Sequence, residues 1–178
     1  IYDQGRTRDG DSGTMQDSAA RTLEGPEALY GDKSFACWCM CHSTAAWQQR
    51  LSELGVRAVR DFGFQGVYLD SFGRSVAECF NPNHGHPVGG GGVITAGTHK
   101  LGESVRNAIK AVNPDAATSA ESAVEQHIDI VDLNLLSYCT ISDGVPLWAA
   151  VYHDYSMQYG RSLGVDNLHL SHEEEVRH

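Results

Sequence analysis

Short β-prone segments alternate with amphipathic helical stretches along the middle of this chain, and this alternation restricts the fold more than any other feature. Segments at 34–41, 66–70 and 116–120 predict three strands. Between the first two, apolar residues recur at the spacing of one helix face: Trp47, Leu51, Leu54, Ala58 and Phe62. A second such face precedes the third strand: Leu101, Val105, Ala108, Ile109 and Val112. This order predicts βαβ units around a parallel sheet, and therefore an α/β fold.

Two parallel α/β architectures compete, a (β/α)8 TIM barrel and a doubly wound sheet. No Gly-x-Gly-x-x-Gly follows a predicted strand, and the glycines at 89–92 are not followed by Lys-Ser or Lys-Thr. The sequence therefore shows neither a dinucleotide fingerprint nor a P-loop, which disfavours a doubly wound nucleotide-binding domain. A complete barrel typically needs ~250 residues, so the 178 residues of this chain are few for one.

Acidic residues stand at the ends of three predicted strands. Asp70 ends the segment 66–70, Glu121 follows the segment 116–120, and Asp154 follows a predicted strand at 146–152. The carboxyl ends of parallel strands meet at one edge of a sheet, so we expect these carboxylates to converge on one pocket. Two carboxylates, one ionised and one holding a proton, are what a glycosidase requires. The alternative is that each acid caps a helix or is a solvated turn residue.

A long loop is predicted from residue 71 to residue 97, and it contains Cys79, His84 and His86. Together with Cys41, these residues are a candidate metal site. Their spacing matches no known zinc finger, and small buried cysteines are the favoured explanation, so the sequence predicts no metal and no cofactor. A Cys41–Cys79 disulfide is a rival use of the same atoms. Three aromatic residues near strand ends are candidates either for sugar stacking or for packing: Phe72, Phe80 and Tyr155.

Net charge and hydropathy limit the kinds of molecule and membrane that the protein is expected to bind. Thirteen Lys and Arg residues against 23 Asp and Glu residues give a net charge of −10, which disfavours a nucleic-acid partner. No apolar run is long enough to span a membrane, and no signal peptide is visible, so the localisation stays open between cytoplasmic and secreted. We expect a single domain over residues 1–178. Its remaining parts are a loop-rich arm at 1–33, a strand or strand pair at 128–136, a helix from 155 to about 163, and a solvated tail at 165–178.

Two stretches of the sequence are more specific than the rest, Tyr68-Leu69-Asp70 and His84-Gly85-His86-Pro87. Over about residues 38–160 the chain resembles a bacterial family of glycoside-hydrolase-like TIM-barrel proteins related to α-galactosidase-type barrels. The resemblance implies a (β/α)8 fold, of which this chain holds about strands three to seven. It also implies a carbohydrate substrate and hydrolysis of O-glycosidic bonds.

The resemblance further implies roles for particular residues. Asp70 is the expected nucleophile or charge stabiliser, Glu121 is the expected general acid/base, and Asp154 completes the acidic set by binding sugar hydroxyls. The expected substrate-binding residues are Tyr68, His84, His86, Trp148 and His153. An incomplete barrel leaves open sheet edges, which predict a homo-oligomer. Two alternatives remain, a non-catalytic carbohydrate-binding or truncated barrel remnant and a Cys/His metal-binding protein.

Overall fold

The computed structural model describes residues 2–3, 15–26, 28–31, 36–73, 77–121, 123–135 and 147–159. The α-helices in these ranges are α1 (Ala45–Arg60), α2 (Gly92–Val112) and α3 (Leu147–Tyr152). The strands are β1 (Tyr2–Asp3), β2 (Leu29–Gly31), β3 (Ala36–Cys39), β4 (Gly66–Leu69), β5 (Ala117–Ala120), β6 (Leu133–Leu135) and β7 (Met157–Tyr159). Among the described helices, none combines the length and the apolar character needed to cross a membrane.

A parallel sheet with the strand order β4-β5-β6-β7 forms the centre of the molecule. The chain passes from β4 to β5 through α2, and from β6 to β7 by way of α3. This arrangement confirms the α/β class and the parallel sheet that the alternating sequence predicts. It also aligns the carboxyl ends of four strands along one edge of the sheet.

Helices α1 and α2 cover one face of this sheet. Leu69 of β4 and Ala120 of β5 point toward the helices and are buried, and the other members of the cluster come mainly from the helices and the β5–β6 connection: Val59, Phe72, Val105, Ile109, Ala116, Ile130 and Val131. At Gly55 an added Cβ would lie 3.0 Å from Ile109 Cγ2, so this glycine permits the close approach of the two helices. The apolar helix faces read from the sequence are therefore the surfaces that bury the sheet.

A second sheet, antiparallel and ordered β1-β3-β2, lies before α1. The strand predicted at 34–41 is confirmed as β3, but within the described ranges it pairs with β1 and β2 and not with β4. The expectation of a loop for the whole arm 1–33 is wrong at β1 and β2. Strands of two or three residues are too short to show a periodicity, and they form here because β3 offers backbone partners on both sides.

Three further element predictions need correction. Helix α2 begins at Gly92 and not after a loop ending at 97, because Gly91, with φ +74°, turns the chain directly into the helix.

The described part of 146–152 is helix α3 and not a strand, and Trp148 stacks on Tyr152 one turn later, with ring centroids 4.3 Å apart. A short apolar run does not distinguish a strand from a buried helix. The helix predicted from 155 is replaced over its first residues by β7, which pairs with β6.

Asp132 ties the amino ends of β5 and β6 to helix α2. Its Oδ2 accepts hydrogen bonds from Arg106 Nη1 at 2.6 Å and from the Thr118 N–H at 2.9 Å. Burial disfavours the ionised form of Asp132, but the hydrogen bonds from Arg106 and Thr118 outweigh this and hold the pKa of the carboxyl below its usual range. A carboxyl whose pKa is depressed by folding stabilises the fold at neutral pH and loses that contribution as the pH falls through its folded-state pKa.

The Asp132→Asn substitution should therefore lower the free energy of unfolding by about 1–2 kcal/mol at pH 7, because it removes one ion pair that water partly screens. Urea titrations at several pH values measure this. The difference from the parent should shrink as the pH falls below 3.8, the usual pKa of an aspartate. Asp61→Asn is the matched control, because Asp61 pairs with Arg60 on the exposed surface. A difference that persists unchanged in acid would contradict this account.

Candidate functional site

The carboxyl edge of the parallel sheet carries two acids on neighbouring strands. Leu69 pairs with Ala120 in the β4–β5 register, so Asp70 and Glu121 leave the two strands side by side. Side chains alternate across a strand, and Leu69 and Ala120 face the helices. Asp70 and Glu121, here called the acid pair, therefore continue the opposite face of the sheet.

A tight turn after β4 fixes the acid pair. Ser71 has φ +57°, the left-handed region that residues other than glycine rarely adopt. In this turn the Ser71 N–H donates to Glu121 Oε2 at 2.9 Å, and the Glu121 N–H donates to the Leu69 carbonyl at 3.3 Å. Phe72 follows and is only 1% exposed. The backbone of one strand end thus holds the carboxylate of the next.

Tyr68 lies two residues before Asp70 on the same face of β4. Burial raises the pKa of its hydroxyl, and the nearby carboxylates Asp70 and Glu121 raise it further. A hydrogen bond also joins the side chains of Tyr68 and Asp70. Tyr68 therefore keeps its hydroxyl proton at neutral pH and can donate it in the hydrogen bond with Asp70.

The face that carries the acid pair also brings β5 and β7 together. Ser119 Oγ and Tyr159 OH lie 2.6 Å apart, although β6 separates their strands. Tyr68 and Met157 share this face by register, and both are among the exposed large apolar residues. The result is a polar and aromatic surface beside the acids, on the side of the sheet that α1 and α2 do not cover.

The structure separates the third predicted acid from the acid pair. Asp154 does not end a strand; it lies in the turn before β7 and thus at the amino edge of the sheet. Its side chain is 80% exposed, with His153 Nε2 at 3.4 Å. Trp148 lies on α3 in the same connection. The sequence predicts His153 and Asp154 at the carboxyl end of a strand because it interprets 146–152 as a strand, whereas 147–152 form helix α3.

Histidine and cysteine side chains form a second centre between the end of β3 and the β4–α2 connection. Ligand atoms of Cys41, Cys79, His84 and His86, here called the Cys/His cluster, all lie within 4.8 Å of one another. Cys41 Sγ is 3.1 Å from His86 Nε2, and Cys79 Sγ is 3.3 Å from His84 Nδ1. The candidate metal site predicted from the sequence consists of the same four residues. His84 and His86 were also predicted to bind substrate, and the structure places them in this cluster.

Local backbone structure builds the Cys/His cluster. Cys79 and Gly89 form an antiparallel bridge that closes the loop between them. Inside that loop Pro82–His84 form a 3-10 helix, and Gly85, with φ +73°, ends it so that His84 and His86 turn inward. Both sulfurs are buried, and burial raises the pKa of the Cys41 thiol to about 12, with Cys79 adding to the effect.

Two buried histidines have no counterpart among the predictions. His42 is 4% exposed and its Nδ1 lies 2.9 Å from Thr98 Oγ1; burial lowers its pKa to about 3. His127 packs on Phe72 with ring centroids 5.0 Å apart, and burial lowers its pKa as well. Both are neutral at pH 7. A sequence gives no signal for them, because only the fold determines which histidines are buried.

Comparison with known proteins relates the chain to glycoside hydrolases. A family model described as a domain of unknown function (DUF6259) matches residues 14–163. A curated protein of Bacteroides thetaiotaomicron, named "Putative glycoside hydrolase", is 28% identical over 124 residues, which are 67% of this chain and 18% of that protein.

Among solved structures, the chain is similar in fold to the α-N-acetylgalactosaminidase NagBb from Bifidobacterium bifidum. The complex of that enzyme with GalNAc gives a TM-score of 0.57 at 17% identity, covering 88% of this chain and 25% of the other. Its Gal-NHAc-DNJ complex gives 0.56 at 18% identity with the same coverage. The chain thus spans a quarter or less of the length of the relatives it matches.

Proposed function

Because this chain belongs to the glycoside-hydrolase-like DUF6259 family, we propose that it carries the catalytic carboxylates of a glycoside hydrolase. The observation that supports this most directly is the acid pair at the carboxyl edge of the parallel sheet. In parallel α/β folds this edge is where active sites lie. The substrate we propose is an O-glycoside, with α-N-acetylgalactosaminides and α-galactosides as the first candidates, since the solved relative acts on α-linked N-acetylgalactosamine by its name.

The position of the acid pair on directly paired strands favours a retaining mechanism. Neighbouring strands lie about 4.7–4.9 Å apart, and the carboxyl groups of retaining glycosidases are about 5–5.5 Å apart, against about 6.5–9.5 Å in inverting enzymes. Asp70 and Glu121 follow directly paired strand residues on one face. This arrangement leaves no strand between them to create the wider gap.

We assign Asp70 as the nucleophile and Glu121 as the general acid/base. Tyr68, hydrogen-bonded to Asp70, stabilises the ionised form that attacks the anomeric carbon. Glu121 gives its proton to the glycosidic oxygen as the bond to the leaving group breaks, and the covalent glycosyl–Asp70 ester forms. Glu121 then takes a proton from water, whose oxygen attacks the same carbon and releases Asp70.

The face that carries the acid pair is the proposed interior of a (β/α)8 barrel. Helices α1 and α2 cover only the opposite face, and Tyr68, Met157 and Tyr159 are exposed on this one. Barrel strands alternate between residues that face the helices and residues that face the interior. The fold similarity to a longer glycosidase supports this placement, with β4 to β7 as consecutive barrel strands.

A stereochemical assay tests the proposal. The chain is incubated with a panel of p-nitrophenyl glycosides that includes the α-N-acetylgalactosaminide and the α-galactoside, and proton NMR records the first anomer released. We expect p-nitrophenol release and a first product with the configuration of the substrate. A first product of inverted configuration would contradict the assigned roles. Sugar binding without hydrolysis over days would instead identify a non-catalytic carbohydrate-binding protein.

A further inference from the structure

The proposed glycosidase chemistry does not use the Cys/His cluster, although its four side chains point at one centre. Their ligand atoms lie within 4.8 Å of one another, and the two shortest sulfur–nitrogen distances are 3.1 and 3.3 Å. In a tetrahedral zinc site with two sulfur and two nitrogen ligands, the ligand atoms lie about 3.3–3.8 Å apart. Side-chain adjustments of about 1 Å therefore suffice to bring all four into that geometry.

The far nitrogen of each histidine shows which atom is available to a metal. His84 Nε2 lies 2.7 Å from the Asp17 carbonyl, and His86 Nδ1 lies 2.8 Å from the Pro87 carbonyl. A carbonyl oxygen only accepts hydrogen bonds, so His86 Nδ1 is a donor. His84 Nε2 also lies 2.9 Å from Asn81 Nδ2. The other ring nitrogens, His84 Nδ1 and His86 Nε2, face the cysteine sulfurs. Histidines that ligate metals are commonly oriented in this way, by a carbonyl on the other nitrogen.

The two cysteine side chains are buried beside each other. Cys41 and Cys79 are 4% and 3% exposed. They pack against Ala20, Ala28 and Ala77, whose side chains carry no charge. A divalent cation at the centre would supply the positive charge that two buried thiolates need.

We propose that Cys41, Cys79, His84 and His86 bind one zinc ion as a closed structural site. On binding, each thiol releases its proton to solvent, so two thiolates balance the charge of Zn²⁺. Two sulfur and two nitrogen ligands in a tetrahedral arrangement suit zinc, and four protein ligands leave no position for a substrate or a catalytic water.

The zinc ion would join segments that are far apart in the sequence. Cys41 follows β3, while the other three ligands lie in the loop between Cys79 and Gly89. The His84 contact with the Asp17 carbonyl adds the segment at 16–18. The ion would therefore hold the loop between Cys79 and Gly89 against the end of β3 and the segment at 16–18.

A Cys41–Cys79 disulfide is the competing use of the cluster. It would oxidise both sulfurs, and His84 Nδ1 and His86 Nε2 would then face sulfur atoms that have no hydrogen to donate. The described cysteines Cys39, Cys41 and Cys79 are not in disulfides. The zinc site accounts for the histidines as well as the cysteines, which the disulfide does not.

Metal analysis of the whole chain, purified under a non-thiol reductant with zinc in the medium, tests the proposal. We expect one zinc per chain by mass spectrometry of the metal, and thiolate-to-cobalt charge-transfer absorption after replacement by Co²⁺. Removal of zinc by a chelator should lower the melting temperature by about 10 °C. Cys79→Ser and His86→Gln should each lose the zinc, whereas Cys39→Ser and His99→Gln, which change the same residue types outside the cluster, should keep it.

Two results would overturn the proposal. One is a reduced, folded parent protein without stoichiometric zinc and without thiolate-to-cobalt absorption. The other is an intact mass that gains two hydrogens on reduction, with the gain mapped to Cys41 and Cys79. Both measurements use the parent chain, so the outcome is decided even where a cysteine variant does not fold.

Discussion

Asp70→Asn should reduce the turnover of an aryl glycoside by at least about 10³-fold and leave the fold unchanged. In the proposed mechanism the Asp70 carboxylate attacks the anomeric carbon, and asparagine removes its charge while keeping nearly the same shape. Asp70 is exposed at the end of β4, so its loss creates no cavity. Initial rates with the p-nitrophenyl substrate that the parent hydrolyses best, together with circular dichroism, measure both parts of the prediction.

Matched variants separate the role of Asp70 from a general effect of charge. Asp115→Asn makes the same change in an exposed turn before β5, at the amino edge of the sheet, and should keep the parent rate.

Azide should partly restore turnover to a variant of the proposed general acid/base, Glu121→Gln. It replaces water in the second step, so the product should keep the configuration of the substrate. In a variant that lacks the Asp70 carboxylate, azide would attack the anomeric carbon directly, so the product would have inverted configuration. Near-parental rates for Asp70→Asn would remove this residue from the mechanism.

Phe72→Ala should lower the free energy of unfolding by about 3–5 kcal/mol, since the ring is almost fully buried and its removal leaves a cavity. Phe72 packs on His127, and an added Cβ at Gly102 would lie 2.6 Å from its Cζ, so the ring is enclosed by α2 as well. It also follows the Ser71 turn that holds Glu121. Chemical denaturation monitored by tryptophan fluorescence measures the change.

Phe64→Ala is the control for this substitution, because Phe64 is 58% exposed in the loop before β4. We expect a change of less than about 1 kcal/mol there. The pair also tests the sugar-stacking role considered for Phe72. A variant with unchanged stability and a raised KM would favour stacking and contradict the packing described here.

The sequence predicts those parts of the fold that depend on one strong periodic pattern. The spacing of Trp47, Leu51 and Leu54 predicts α1, and Tyr68-Leu69-Asp70 predicts a strand that ends on an acid; both elements form. Asp70 and Glu121 become neighbours because β4 and β5 pair in register. Both strands bury a residue against the same helices, Leu69 in β4 and Ala120 in β5. A slip of one residue would turn the buried side chains of one strand to the other face of the sheet, so burial fixes the register.

The errors arise where pairing between distant segments decides the structure. The run 147–152 is as apolar as a strand, but it forms helix α3. The place beside β6 in the sheet is taken by β7 instead, which the sequence pattern does not show. Asp154 was misplaced for this reason alone. The Cys/His cluster is a different case: the buried cysteines agree with the favoured explanation, and the structure adds that two histidines meet them. Sequence spacing carries no information on whether Cys41 reaches a loop some forty residues later, since the intervening helix α1 and strand β4 set that distance.

The hydrogen bond that positions Glu121 Oε2 is donated by the backbone N–H of Ser71. Replacing the side chain at position 71 therefore leaves the amide in place, and only proline would delete it. Neighbouring pocket residues can accordingly be exchanged without detaching the acid from its support. Under the proposed function, libraries that aim at another sugar should vary the side chains around the two carboxylates and keep the backbone of the turn at Ser71.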